Sequence, residues 1–152
     1  MQTIQIRAAS LADIEGVGAL FDAYRQFYQQ APDLEKATQF IRDRLVKQES
    51  VLLVAENTDK NLLGFCQMYP TFCSVAAAPI MVLYDLFVSA ENRKSGAGRA
   101  LMLAAQAHAK LEGYVRLDLS TAKTNLTAQA LYESLAWVRD EQFFTYSLQL
   151  NS

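Results

Sequence analysis

Arg93-Lys94-Ser95-Gly96-Ala97-Gly98-Arg99 gathers three basic side chains and two glycines into seven residues. It follows an apolar run, Ile80 to Val88, and opens a helix-forming run from Gly98 to Leu111. A strand that runs into a glycine loop and then a helix can hold a pyrophosphate. Gly96 and Gly98 lack a Cβ, so the backbone can approach an anion closely and take positive φ where needed. Ala97 to Leu101 supply the unpaired N–H groups of a helix N-terminus, where the macrodipole adds roughly half a positive charge. Arg93, Lys94 and Arg99 can all face phosphate oxygens.

The elements that must position this loop are legible along the chain. Ile4 to Ala8 alternates as a short strand. Ser10 is an N-cap, with Asp13 three residues on, for a helix from Leu11 to about Gln29. Pro32 and Asp33 interrupt it and start a second amphipathic helix reaching about Gln48. Val51 to Glu56 and Leu62 to Phe72 read as antiparallel strands around the turn Asn57 to Asn61, with Gly64 marking a bend. After a small-residue loop, Ser74 to Pro79, come the central strand, the glycine loop and a helix closed by Gly113. Tyr114 to Leu119 is a strand, Asn125 to Leu135 a helix and Gln142 to Leu150 a last strand. The order β-α-α-β-β-β-α-β-α-β predicts a single α/β domain over residues 1–152, with a mixed central sheet flanked by helices.

Composition excludes several function classes. A net charge of −2 and a pI near 5.4 argue against a nucleic-acid partner, which needs a concentrated basic surface. The longest apolar stretch, Val75 to Leu83, is too short to span a bilayer, and no secretory signal is evident. Cys66 and Cys73, seven residues apart, point to opposite faces of one strand, which argues for thiols in a reducing cytoplasm. His108 has no second ligand at metal spacing, so no metal site is expected.

Downstream of the loop stands Asn125-x-x-Ala128-x-x-Leu131-Tyr132-x-x-Leu135-x-Trp137. Together with Arg93-x-x-Gly96-x-Gly98 and the element order, it resembles the GNAT family of acyl-CoA-dependent N-acetyltransferases. That family carries R/Q-x-x-G-x-G/A after its fourth strand and N-x-x-A-x-x-L-Y-x-x-x-G-F/W near its end. Ala136 stands where the family usually has Gly, Ser95 where Lys or Gly is common, and Ala90 where Pro is frequent. The resemblance implies acetyl-CoA as co-substrate. Backbone groups of Phe87 and Val88 would pair with the pantetheine arm, admitted between splayed strands four and five. N–H groups from Lys94 through Ser95, Gly96, Ala97 and Gly98 to Arg99 would cradle the pyrophosphate. Asn125 would bond the pantetheine, and Tyr132 would face the thioester sulfur.

The chemistry agrees with those roles. Backbone N–H donors aimed at a developing oxyanion contribute typically about 3 kcal/mol each. A phenol, with a pKa near about 10, can protonate a departing thiolate. Most amines are protonated at neutral pH, so a base or an anionic anchor is required, and Asp85 on the central strand is the candidate. Two readings of Asp85 stand level: base or ammonium anchor, and structural ion-pair partner of a helix arginine such as Arg25. Tyr132 as one more packing aromatic and Asn125 as a plain N-cap are the corresponding structural alternatives.

Tyr84-Asp85-Leu86-Phe87-Val88 is similar to the E-D-L-F/Y-V segment of the diamine and polyamine acetyltransferases, with one acid replaced by Tyr84. The acceptor that this implies is a primary amine of a small molecule: an amino acid, a diamine or a polyamine. Tyr24, Phe27 and Tyr28, with Tyr69 and Phe72, could wall its pocket and attract an ammonium group through their rings. Three alternatives differ in class. A dinucleotide-binding oxidoreductase is disfavoured because Leu101 replaces the third glycine and a hairpin precedes the loop. A non-catalytic acyl-CoA-binding regulatory module would need neither Tyr132 nor Asp85, and the acceptor could instead be a protein amine. The last strand, with Phe143, Phe144, Tyr146 and Leu148, is where a homodimer could pair.

Overall fold

In the computed structural model, residues 3 to 151 are described, and they form two compact units divided after Ser120. The first unit holds β1 (Gln5–Ala8), α1 (Ile14–Phe27), α2 (Leu34–Lys47), β2 (Val51–Glu56), β3 (Leu62–Cys73), β4 (Ala78–Val88), α3 (Ala97–Leu111) and β5 (Leu117–Asp118). The strands lie in the order β1-β2-β3-β4-β5, antiparallel except for the parallel β4–β5 pair, which makes the sheet mixed. That topology differs from the parallel sheet a dinucleotide-binding fold requires.

Strand pleating places Leu52, Val54, Phe65 and Phe87 on one face, where Val17 and Phe21 of α1 and Ala37 and Ile41 of α2 cover them. Each such buried side chain contributes about 1.5–3 kcal/mol, which explains why two amphipathic helices settle on that face. Leu53 and Cys66 point the other way and are also buried, and α3 packs on the same strands through Ala97, Leu101, Met102, Ala105 and Ala109. Asp33 caps α2 by accepting the Lys36 N–H at 3.1 Å, as its place after Pro32 suggests. Arg7 ties β1 to both the Asp13 and Glu56 carboxylates at 2.8 and 3.1 Å, and this holds the Asp13 carboxyl down at about 2. Cys66 and Cys73 are free thiols. No helix among the described residues is long and apolar enough to cross a membrane.

Three expectations change. The helix expected from Leu11 begins as a 3-10 turn, Leu11–Asp13, with the α-helix starting at Ile14. The strand expected over Tyr114–Leu119 shrinks to Leu117–Asp118, the residues in register with Met81 and Val82 of β4, while Val115 N–H still bonds Pro79 C=O at 3.0 Å. The strand expected over Gln142–Leu150 is not formed. There the Asp140 carboxylate takes the N–H groups of Gln142 and Phe143 at 3.3 and 3.1 Å, so the chain enters this segment through a side-chain-closed turn. Alternating apolar residues define a face, but a strand also needs a neighbouring edge to take up its backbone groups.

The second unit contains α4 (Leu126–Ser134). Asn125 is its N-cap, the side-chain Oδ1 accepting the Ala128 N–H at 3.2 Å. Its C-terminus is a Schellman turn: Trp137 N–H bonds Tyr132 C=O at 3.0 Å and Ala136 N–H bonds Glu133 C=O at 3.1 Å. Closure puts Ala136 at φ 69°, and it brings the Trp137 ring to 6.2 Å from that of Tyr132. Ala136 thus holds the left-handed position where the resembled motif has glycine. Ala136→Gly is expected to stabilise the protein by about 1 kcal/mol, read from the denaturant midpoint.

Candidate active site

The glycine loop starts from the end of β4 through a 3-10 turn, Ala90–Asn92, closed by Asn92 Nδ2 on Ser89 Oγ at 2.7 Å. Lys94 and Gly96 then both take left-handed conformations, φ 67° and 92°. Such turns aim successive N–H groups into one concavity, an anion-binding nest. Gly96 is the N-cap of α3, and nothing lies within 4 Å of where its Cβ would stand, so the cradle is open on that side. Ser95 Oγ accepts the Ala97 N–H at 3.2 Å. The N–H of Gly98, in the first turn that follows, has no intrahelical partner at i−4.

Arg93 is placed differently from a phosphate ligand. Its Nε donates to Val88 C=O at 3.1 Å, and its guanidinium lies over the rings of Phe27 and Phe87 at 5.7 and 5.5 Å. Arg93 therefore ties the loop back to β4 and α1.

Beyond Val82, β4 has no strand partner on its β5 side among the described residues. The register shows which backbone groups this frees. Ser89 N–H bonds Leu63 C=O at 2.9 Å, so by antiparallel alternation Phe87 also turns its groups toward β3. Leu86 and Val88 turn theirs to the open edge. Val88 turns its N–H to that edge, while its C=O already accepts from Arg93 Nε at 3.1 Å. Phe87 contributes its ring to the core, and Leu86 is the further edge residue that only the pairing register reveals.

One residue of β4, Tyr84, is extra where Gln67 faces Asp85 and Met68 faces Leu83. A bulge of this kind re-aims side chains, and here it leaves Tyr84 67% exposed beside a 5% exposed Asp85. Among the described residues no ion pair reaches Asp85, so the Arg25 pairing is not formed. Instead Gln67 Nε2 donates to Asp85 Oδ2 at 2.9 Å, and the Tyr24 hydroxyl also bonds the carboxylate. Burial pushes the Asp85 carboxyl above the usual carboxylate range, partly offset by these two donors.

Tyr24 also reaches Tyr84 C=O at 3.3 Å and packs edge-on against Tyr28 at 5.2 Å and Phe87 at 5.9 Å. Tyr69 meets Tyr84 edge-on at 5.7 Å, and its phenol is pushed up to about 12 by burial and by the Asp85 charge. Tyr24, Tyr84 and Asp85 are therefore brought together as expected, with Tyr28 beside Tyr24 and with Gln67 and Tyr69 as unforeseen neighbours. Phe72 projects from the far end of β3 into solvent. No group of His, Cys, Asp and Glu able to hold a metal occurs among the described residues.

Comparison with known proteins agrees with this geometry. The model of the Acetyltransferase (GNAT) family matches residues 17–137. The chain is 41% identical over 147 residues to an uncharacterized N-acetyltransferase of Bacillus subtilis, covering 97% of this chain and 98% of that one. A crystal structure of a probable acetyltransferase superposes with a TM-score of 0.91 at 33% identity, over 97% of this chain and 99% of the other. The aminoglycoside N-acetyltransferase AAC(6')-Iy, solved in complex with CoA, shares the fold at 16% identity, with a TM-score of 0.81 over 99% of this chain and 97% of that one. The chain belongs to the Acetyltransferase (GNAT) family and is an N-acetyltransferase of the class that draws its acyl group from acetyl-CoA.

Proposed function

We propose that the chain, acting as one GNAT domain, transfers the acetyl group of acetyl-CoA to a primary amine of a small molecule by direct attack. The observation that carries this reading is an unpaired β4 edge that runs from Leu86 to Val88 into an open left-handed loop, with a buried carboxylate one residue before it. When bound, acetyl-CoA supplies an activated acetyl carbonyl and a thiolate leaving group. The residues present fit it: the edge offers the N–H and C=O of Leu86 and the N–H of Val88 to the amide-bearing pantetheine, and the nest suits a pyrophosphate.

The chain's own groups then divide the work. N–H groups of Leu86 and Val88 bind and polarise carbonyls laid along the edge. Asp85, its affinity for a proton raised by burial, takes the proton of the acceptor ammonium, and the Tyr24 hydroxyl, bonded to the Tyr84 C=O, stands beside it. Aromatic faces of Tyr24, Tyr28 and Tyr84 favour a cationic acceptor. Tyr132, on the motif in which it stands, gives a proton to the departing sulfur, and Asn125 bonds the pantetheine as well as capping α4. Tyr132→Phe is expected to lower kcat by about 10²-fold while KM for acetyl-CoA changes little. Steady-state kinetics with both substrates varied tests this, and unchanged turnover would remove Tyr132 from the acid role.

A further inference from the structure

We propose that Gln67, held by Ser50, is a positioning residue that fixes the Asp85 carboxylate for the acceptor amine; this rests on the acetyl-transfer reading of Asp85. Gln67 is fully buried on β3, opposite Asp85 and at the edge of the β4 bulge. Ser50 Oγ donates to Gln67 Oε1 at 2.7 Å, and Gln67 Nε2 donates to Asp85 Oδ2 at 2.9 Å. The two contacts fix the amide in one sense. Oε1 is occupied by the serine hydroxyl, and only the N–H face can meet an ionised carboxylate.

A carboxylate on a strand can turn about χ2, and anchoring one oxygen to the neighbouring strand stops that rotation. Oδ2 is thereby committed to β3, and Oδ1 is the oxygen left for the acceptor amine. The groups around Asp85 are Gln67 and Tyr69 from β3, Tyr24 from α1 and Tyr84 from its own strand, with Cys66 turned to the other face and no cation among them to fix it instead. Stability alone does not account for the arrangement. A buried polar pair is commonly no better than apolar residues of the same shape, so its value lies in where it holds the oxygen.

The test follows the Asp85 carboxyl directly by 13C NMR titration, assigned with Asp85→Asn, in the unaltered protein, Gln67→Met and Ser50→Ala. Gln67→Met is expected to move the Asp85 midpoint to higher pH, because a donor to the ionised form is lost. It is also expected to lower kcat about tenfold with KM for acetyl-CoA unchanged. Ser50→Ala, at a half-buried position that leaves the strands intact, moves the midpoint the same way by less, and it carries the test if Gln67→Met does not fold. An Asp85 midpoint that stays in place in Ser50→Ala and in folded Gln67→Met overturns the proposal. Failure of the acetyl-transfer reading would look different: no thiol release by the unaltered protein with any amine, with the Asp85 titration still moving in the variants.

Discussion

Asp85→Asn is expected to lower kcat by about 10²–10³-fold while leaving the protein as stable as before, or more so. The two effects separate a working carboxylate from a structural one. Asp85 is 5% exposed and has no cationic partner, so burial penalises its charged form. The sign follows from linkage. A folded-state pKa above the unfolded value means that stability is fully present below the unfolded value and is lost as pH rises through the folded one. At neutral pH the unaltered protein bears that loss and Asp85→Asn does not. The Asn Oδ1 can still accept from Gln67 Nε2, so the hydrogen bond survives. Melting temperature measured against pH should therefore show Asp85→Asn level with the unaltered protein in acid and level or higher near neutrality. A large fall in melting temperature would instead mark Asp85 as a structural group.

Gly64→Ala should damage the same strand from the other side. A Cβ at position 64 would stand 2.5 Å from Phe87 O and 3.1 Å from Val88 Cα, both backbone atoms that no rotamer change can move. β3 and β4 must shift apart where Val88 faces the open edge. The expected cost is about 1–3 kcal/mol of stability, with a rise in KM for acetyl-CoA, since the edge proposed to receive the pantetheine is displaced. Gly96→Ala provides the contrast. Its Cβ meets nothing within 4 Å, but φ of 92° makes any side chain there costly by about 1–2 kcal/mol. One glycine is required for space and the other for conformation. Equilibrium denaturation together with the KM for acetyl-CoA distinguishes them, and an unaltered KM in Gly64→Ala would speak against the edge.

The features readable from the sequence were those carried by local signals. Asp33 after Pro32, the compact apolar run Val51–Glu56, the glycines of the loop and the Asn125 cap each act within a few residues, and each is found where it was expected. What escaped depends on pairing between strands. Gln67 is a lone polar residue inside the run Leu62 to Met68, and its meaning appears only when the register sets it against Asp85. That polar interruption of a buried run was the available signal. The turning of Phe87 toward β3 and of Leu86 toward the open edge likewise depends on the parity of the ladder. Arg93 reads as a phosphate ligand by proximity, yet its guanidinium folds back onto Phe27, Phe87 and the Val88 carbonyl. The alternation in Gln142–Leu150 was real, but it names no partner edge.

Thiol release from acetyl-CoA, followed while small primary amines are varied, tests the central claim most directly. The expected result is release that depends on the amine and saturates in both substrates. Initial-rate lines should intersect, as direct attack within a ternary complex requires. Tight CoA binding with no amine-dependent release, or parallel lines indicating an acetylated enzyme, would contradict it.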